Sequence, residues 1–455
     1  MSDATIVLDI GKTNVKLVLL DAAGALLAER RMANMVMRAD PYPHYDTDHI
    51  WEWMLDGMQA YARLARIGAI VPVTHGATAA LVDDQDLVLP VLDYEYEPPA
   101  EQAAAYAAAY AAIRPDYAET CSPQLPAGLN LGRQLVWQAH AFPRRFQRAR
   151  HILMYPQYWA WRLCGVAASE VTSLGCHTDL WRPAHQQYSS LVERMSWSGL
   201  LPPLRKAWET LGVIKPELAQ RTGLPTDCRI LCGIHDSNAS LLRHLSAAEP
   251  PAVLSTGTWV IAAAPGKPLE GLREEYDMLA NTSAPGQAVA CMRFMGGREF
   301  SELAGADAVP CDIDDLQTII AQGTFALPGF AGATGPFAWR TGEIQGPPPR
   351  DARQRYALAT LYCALMSDYC LTALGADGDV VVEGSFTGNP WFASLLAALR
   401  PGRQVSNSDD SSGTTCGGWL LHHWGDAPAS HTHSAAPLAL PGWADYKQQW
   451  LKVLL

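Results

Sequence analysis

No apolar run in the sequence reaches the roughly 18 residues that a membrane-spanning helix needs, so no membrane role is expected. The ten cysteines are scattered, with no CxxC pair and no compact framework. In a chain of 455 residues that usage predicts reduced thiols and a cytoplasmic setting. Long basic runs are missing too. Asp and Glu number 46 against 34 Lys and Arg, a formal net charge of −12, which disfavours a nucleic-acid partner. The first strand pattern begins almost at once, which predicts no signal peptide. Acidity does not exclude ATP, because nucleotide sites work through local amides and a metal ion rather than through global charge. What remains is 49% hydrophobic and 18% charged, the composition of a soluble globular chain long enough for two or three domains.

Near the start runs IVLDIGKTNVKLVLLD, whose GKT imitates the end of a P-loop. A P-loop needs a glycine five residues before the GK glycine, and here Ile6 stands there, in an apolar run. It must also lead into a helix, whereas VKLVLLD is rich in β-branched residues and reads as a returning strand. The stretch is therefore a hairpin, with Asp9 at the entrance of its turn. A second one, AVLSTGTWVIAAAP, opens the other half of the chain, and the two form a weak internal repeat. Both set a glycine and hydroxyl or amide side chains at a sharp reversal, where bare turn amides can approach phosphate oxygens. Either turn alone also fits an ordinary hairpin; the duplication favours phosphate binding.

Between the hairpins the pattern is mixed α/β. DTDHIWEWMLDGMQAYARLARIG has helical spacing, with Asp46 as a cap. IGAIVPVTHG reads as a buried strand ending in a polar turn, and LVLPVLDYEYEPP as another strand. EQAAAYAAAYAAIRPDYA, RQLVWQAHAFPRRFQRARHIL and YPQYWAWRLCG read as helices, and RILCGIHDSNASLL as strand, turn and helix. The small, proline-bearing HLSAAEPPAVL is the expected junction between domains 1–246 and 247–455. At the end, WADYKQQWLKVLL predicts an amphipathic helix packed on the second domain.

These segments, in this order, resemble the FGGY family of carbohydrate kinases, within the actin, hexokinase and Hsp70 superfamily. LDIGKTNVKLVLLD and LSTGTWVI are similar to its two phosphate hairpins, and THGATAALVDDQDLVLPVLDYE to its sugar-contacting stretch. ARHILMYPQYWAWRLCGVAASEVTSLGCHTDLW resembles the segment that follows, and CGIHDSNASLL the motif of the catalytic base. VVVEGSFTGNPWFASLLAALRPGRQV and SSGTTCGGWLLHHWG are similar to the adenosine motif and the helix after it. The resemblance implies two ribonuclease-H-like domains flanking a deep cleft, with ATP and Mg²⁺ as cofactors and a sugar as substrate. Transfer to a ketose or deoxyketose such as L-rhamnulose, L-fuculose or a xylulose-like sugar is expected. A polyol kinase for glycerol or erythritol and a catalytically silent sensor stay open, as does the oligomeric state, a homodimer included.

Residue by residue, the resemblance makes Asp236 the general base, its alternative being a helix N-cap. Asp9 would help hold Mg²⁺ through water, since magnesium sheds water reluctantly. Gly11, Lys12, Thr13 and Asn14, with Thr256, Gly257 and Thr258, would face the phosphates, although Lys12 can equally point to solvent. Gly384, Ser385, Gly388 and Asn389 would serve adenosine, and His75, Gly76, Asp93, Glu95 and His235, with Asp236, the sugar. His75 alone would more often be structural. Thr and Ser are the family's usual residues at the positions of Lys12 and Asn14, and no Trp precedes Asp93. The pairs His422 with His423 and His431 with His433 lack supporting cysteines or carboxylates and read as non-metal residues.

Overall fold

The structure, a computed structural model, describes residues 3–245, 249–332, 334–408, 413–425 and 432–454. His431 and the centre of the expected junction lie outside that set. Two compact units emerge, and the division is not a single cut. The first comprises Met1–Ser246, Ala280–Ala288 and Ser412–Pro428, the second Ala247–Leu279, Val289–Ser411 and Ala429–Leu455.

In the first unit the strands Ala4–Ile10 and Asn14–Leu20 form the opening hairpin, and Leu26–Ala33 extends it. Ile67–Thr74 lies parallel to Ala4–Ile10 on the other side, followed by Arg229–Leu231 and Thr210–Val213, while Ile234–His235 also pairs with Ile67–Thr74. Both central strands are buried at every position, because helices cover both faces. The two-residue period divides the apolar run between two cores. Ile6, Leu8 and Ile10 meet the helices Thr47–Tyr61 and Tyr155–Cys164, whereas Val7 faces Ala239, Leu242, Leu420 and Leu421. Asp46 caps Thr47–Tyr61, its side chain accepting from the His49 amide. A smaller sheet of Leu87–Leu89, Ala79–Val82 and His151–Met154 carries a third core.

Two expectations change. Of LVLPVLDYEYEPP only Leu87–Leu89 is strand, because Pro90 offers no ladder N–H, and Asp93 stands in a turn closed by the Tyr96 amide on its carbonyl. The helix expected over RQLVWQAHAFPRRFQRARHIL ends at Ala141, before Pro143; a separate one-turn helix Pro143–Phe146 follows, and His151–Met154 is strand.

The second unit repeats the arrangement. Ala252–Thr256 pairs antiparallel with Val260–Pro265 and parallel with Val380–Gly384, which lies parallel to Val405–Ser408. The long helix Ala352–Ala373 fills its core, and Trp443–Leu454 buries Trp443, Tyr446, Trp450 and Leu454 against it. The helix Gly413–His422, by contrast, belongs to the first unit. Its paired glycines are the reason. A Cβ on Gly417 would stand 2.0 Å from the Ala239 carbonyl oxygen, and one on Gly418 would stand 2.6 Å from Val7. Only glycine lets this helix lie so close.

Candidate active site

The turn after Ala4–Ile10 is closed by the Gly11 amide donating to the Asn14 carbonyl at 2.9 Å. Asn34 braces it, its amide on Thr13 O and its side chain on Gly11 O. Thr13 and Asn14 are exposed, and their side chains touch each other at 3.0 Å. Lys12 is not: its side chain is only 20% exposed and pairs with Asp93 and, at 3.3 Å, with Glu95. The structure thus takes Lys12 away from the expected phosphate edge to Asp93 and Glu95, two of the residues expected to serve the sugar. Asp9 is buried, and its Oδ2 accepts from Thr414 Oγ1 at 2.9 Å and from Lys16 Nζ at 3.2 Å. The Lys16 contact was readable from the sequence, since hairpin register puts Lys16 directly opposite Asp9. Thr414, 405 positions away, left no such trace.

Asp236 opens the helix Asp236–Leu242, one residue after its N-cap, His235. Its Oδ1 accepts from the Ser237 amide at 2.6 Å and lies 3.2 Å from His235 Nε2. Loss of hydration, and then the charge of Asp9, push its carboxyl up to about 6, opposed by His75 and Ser237. The side chain keeps 26% of its surface open. His235 is buried and held in place on both ring nitrogens, with Asn238 Nδ2 at 3.1 Å from Nδ1, while its amide donates to Thr172 Oγ1. Desolvation pulls both His235 and His75 down to about 4, so both are neutral imidazoles at neutral pH.

His75 follows Ile67–Thr74 and hangs from the first hairpin through its amide on Ile10 O. Its Nδ1 approaches Gly76 O and Thr78 Oγ1, whereas its buried Nε2 has no hydrogen-bond partner among the described residues. The rings of Tyr45, Tyr94 and Tyr155 surround it at 5.2 to 5.5 Å between centroids. The sequence did not single out Tyr45 and Tyr155, which only tertiary packing brings there. Gly76 is required by space: a Cβ there would stand 2.7 Å from His235 Nε2. The next residue, Ala77, is held at φ +52°, a conformation that L-residues seldom adopt. Asp93 is 7% exposed and accepts from Tyr45 Oη at 3.3 Å as well as from Lys12. Glu95 is largely exposed.

In the second unit the Gly257 amide closes its turn on Trp259 O, and Thr258 is exposed. Thr256 is buried; its hydroxyl donates to Glu383 O and accepts from the Phe386 amide, so it ties the hairpin to the turn after Val380–Gly384. Gly384 has φ +84°, and a Cβ there would stand 1.9 Å from Thr256 O. Ser385 and Gly388 are exposed, and a Cβ on Gly388 would meet nothing. Asn389 turns inward, its amide spent on Thr360 Oγ1 and on the Trp391 N–H. Gly297 was overlooked, although the pair in FMGGREF marks it: a Cβ there would stand 2.1 Å from Gly257 O. His422 is structural, held between Thr5 Oγ1 and Arg229.

Residues 4–242 match the sequence profile of the N-terminal domain of the FGGY family of carbohydrate kinases, and residues 248–431 that of an FGGY carbohydrate kinase C-terminal domain. The chain belongs to the FGGY family. This FGGY chain is 36% identical to a carbohydrate kinase from Novosphingobium aromaticivorans, with a TM-score of 0.92 over 100% of this chain and 98% of that one. The L-fuculokinase of Salmonella typhi is 27% identical over 277 residues, 57% of this chain and 56% of that protein. The match thus spans little more than half the length of that curated relative. A gluconate kinase from Lactobacillus acidophilus shares the fold at 15% identity, with a TM-score of 0.81 over 100% of this chain and 98% of that one. The fold is α/β with two sheet-rich, actin-like domains, the class expected from the motifs.

Proposed function

We propose that this FGGY protein transfers the γ-phosphoryl group of ATP to a hydroxyl of a ketose or deoxyketose such as L-fuculose, L-rhamnulose or a xylulose-like sugar. The observation that carries the reading is Asp236: a part-open carboxylate, raised to about 6 and backed by two buried neutral histidines. A base poised near the working pH suits abstraction of an alcohol proton. The helix-cap alternative is weaker, since His235 occupies the cap and Asp236, one residue further on, accepts from the amide and hydroxyl of Ser237 and stands 3.2 Å from His235 Nε2.

In this mechanism the sugar hydroxyl gives its proton to Asp236 as its oxygen attacks the γ-phosphorus; the bond to the β-phosphate oxygen breaks and ADP leaves. The open His75 Nε2 takes a hydrogen bond from a sugar hydroxyl, and the tyrosine rings supply apolar walls. In the first unit Gly11, Thr13 and Asn14 suit contact with phosphate oxygens, and in the second unit the turn of Gly257 and Thr258 offers the same chemistry. The bare Gly384 backbone, Ser385 and Gly388 serve adenosine, while Thr256 and Asn389 shape that site from within. The residues fit a magnesium ion that arrives with the nucleotide: Asp9 already accepts two donors, which suits contact with a metal-bound water better than direct ligation. The ion, when bound, neutralises charge developing on the phosphates.

ADP release across ketoses, polyols and a sugar-free control tests the reading. Asp236→Ala should abolish transfer and leave nucleotide binding nearly intact. Full turnover by that variant would remove Asp236 from the role, and ATP binding without turnover on any acceptor would favour a sensor.

A further inference from the structure

We propose that Lys12 is a specificity-determining residue of the acceptor site, where it donates hydrogen bonds to a neutral polyhydroxylated sugar instead of pairing with a phosphate or with a sugar acid. The inference rests on the kinase reading above. Lys12 lies in the turn beside Thr13 and Asn14, yet its side chain leaves that exposed edge. The ammonium sits against Asp93 and Glu95 and lies 4.7 Å from the centroid of the Tyr94 ring and 5.3 Å from that of Tyr45. Drawing it toward a phosphate would strand the buried Asp93 carboxylate without its cation, the costly fate of any broken buried pair.

The surroundings choose the acceptor's charge. The carboxylates of Asp93, Glu95, Asp236 and Asp9 stand against the ammoniums of Lys12 and Lys16, and Lys16 is taken by Asp9. The imidazoles of His75 and His235 add no charge at neutral pH. Among these groups the balance is negative, and the Lys12 ammonium beside Tyr45 and Tyr94 is already neutralised. A substrate carboxylate would meet repulsion from these carboxylates, while the Lys12 and Lys16 ammoniums are already paired. A neutral sugar meets what its hydroxyls need: the unpartnered His75 Nε2, the Asp236 carboxylate, the remaining N–H bonds of Lys12, and ring faces for its C–H surfaces.

The test measures KM for acceptor and for ATP by ADP release in the wild type, Lys12→Met and Lys12→Arg, with L-fuculose, L-rhamnulose and D-gluconate as probes. Removing one charge-assisted donor should raise the KM of the neutral sugars about tenfold or more in Lys12→Met, with ATP KM inside about twofold. Lys12→Arg, which keeps the ion pair and so guards against a folding defect, should recover part of the loss. Gluconate should be the poorest acceptor of the wild type. A rise in ATP KM with acceptor KM unchanged, or a preference for gluconate, overturns the assignment. A wild type that releases no ADP with any acceptor removes the kinase reading instead. Calorimetric titration of L-fuculose into wild type and Lys12→Met then decides Lys12 separately: weaker binding by the variant supports it, and equal curves, flat ones included, overturn it.

Discussion

Replacing Asp236 by asparagine should slow turnover sharply and stabilise the protein at the same time. The carboxyl is raised from its ordinary 3.8 to about 6, first by lost hydration and then by the charge of Asp9. A tenfold change in proton affinity is worth about 1.4 kcal/mol, so holding the ionised form here costs up to about 3 kcal/mol. Water at the open edge of the side chain, 26% exposed, lowers the expected gain in Asp236→Asn to about 1.5–3 kcal/mol. The sign follows from linkage. A carboxylate whose folded value lies above its unfolded one binds a proton on folding, so its penalty is absent below about pH 4, grows between 4 and 6, and is complete above 6. Thermal melts of wild type and Asp236→Asn from pH 4 to pH 8 should therefore coincide at the acid end and diverge by a few degrees at pH 8, the variant melting higher. Turnover of the variant should fall by about 10²–10⁴. A variant that melts lower at every pH would refute the reasoning, because it would show a carboxylate that holds its helix in place and is not a strained base.

Other consequences concern the same residues. Wild-type kcat/KM for the acceptor should rise as pH passes about 6 and then level off, following Asp236, whereas His75 and His235, held near 4, add no inflection between 5 and 8. Gly76→Ala should push His235 aside, since the new methyl would lie 2.7 Å from Nε2; an acceptor KM raised with a stability loss of about 1–3 kcal/mol is the expected result of kinetics and melting. Gly384→Ala combines φ +84° with a 1.9 Å clash on Thr256 O and should weaken ATP binding in calorimetry far more than Gly388→Ala, whose methyl meets nothing. Thr414→Val removes a donor from the buried Asp9 and should shift the magnesium dependence of ADP release without changing acceptor KM.

The sequence by itself determined what local chemistry carries. Period and β-branching made both hairpins legible, and Asp46 signalled a helix start that its hydrogen bond to the His49 amide now explains. His75 with Gly76 and His235 with Asp236 were named through the resemblance to the family's motifs, and the structure sets each pair in contact. Tertiary structure decided everything that depends on where a side chain ends. It carried Lys12 away from the turn edge onto Asp93, spent the Asn389 amide inside its own unit, set Tyr45 and Tyr155 around His75, and returned Gly413–His422 to the first unit so that Thr414 reaches Asp9. Backbone pattern follows from near neighbours, but a long flexible ammonium or a hydroxyl 405 positions away finds its partner only when packing and charge compete in three dimensions.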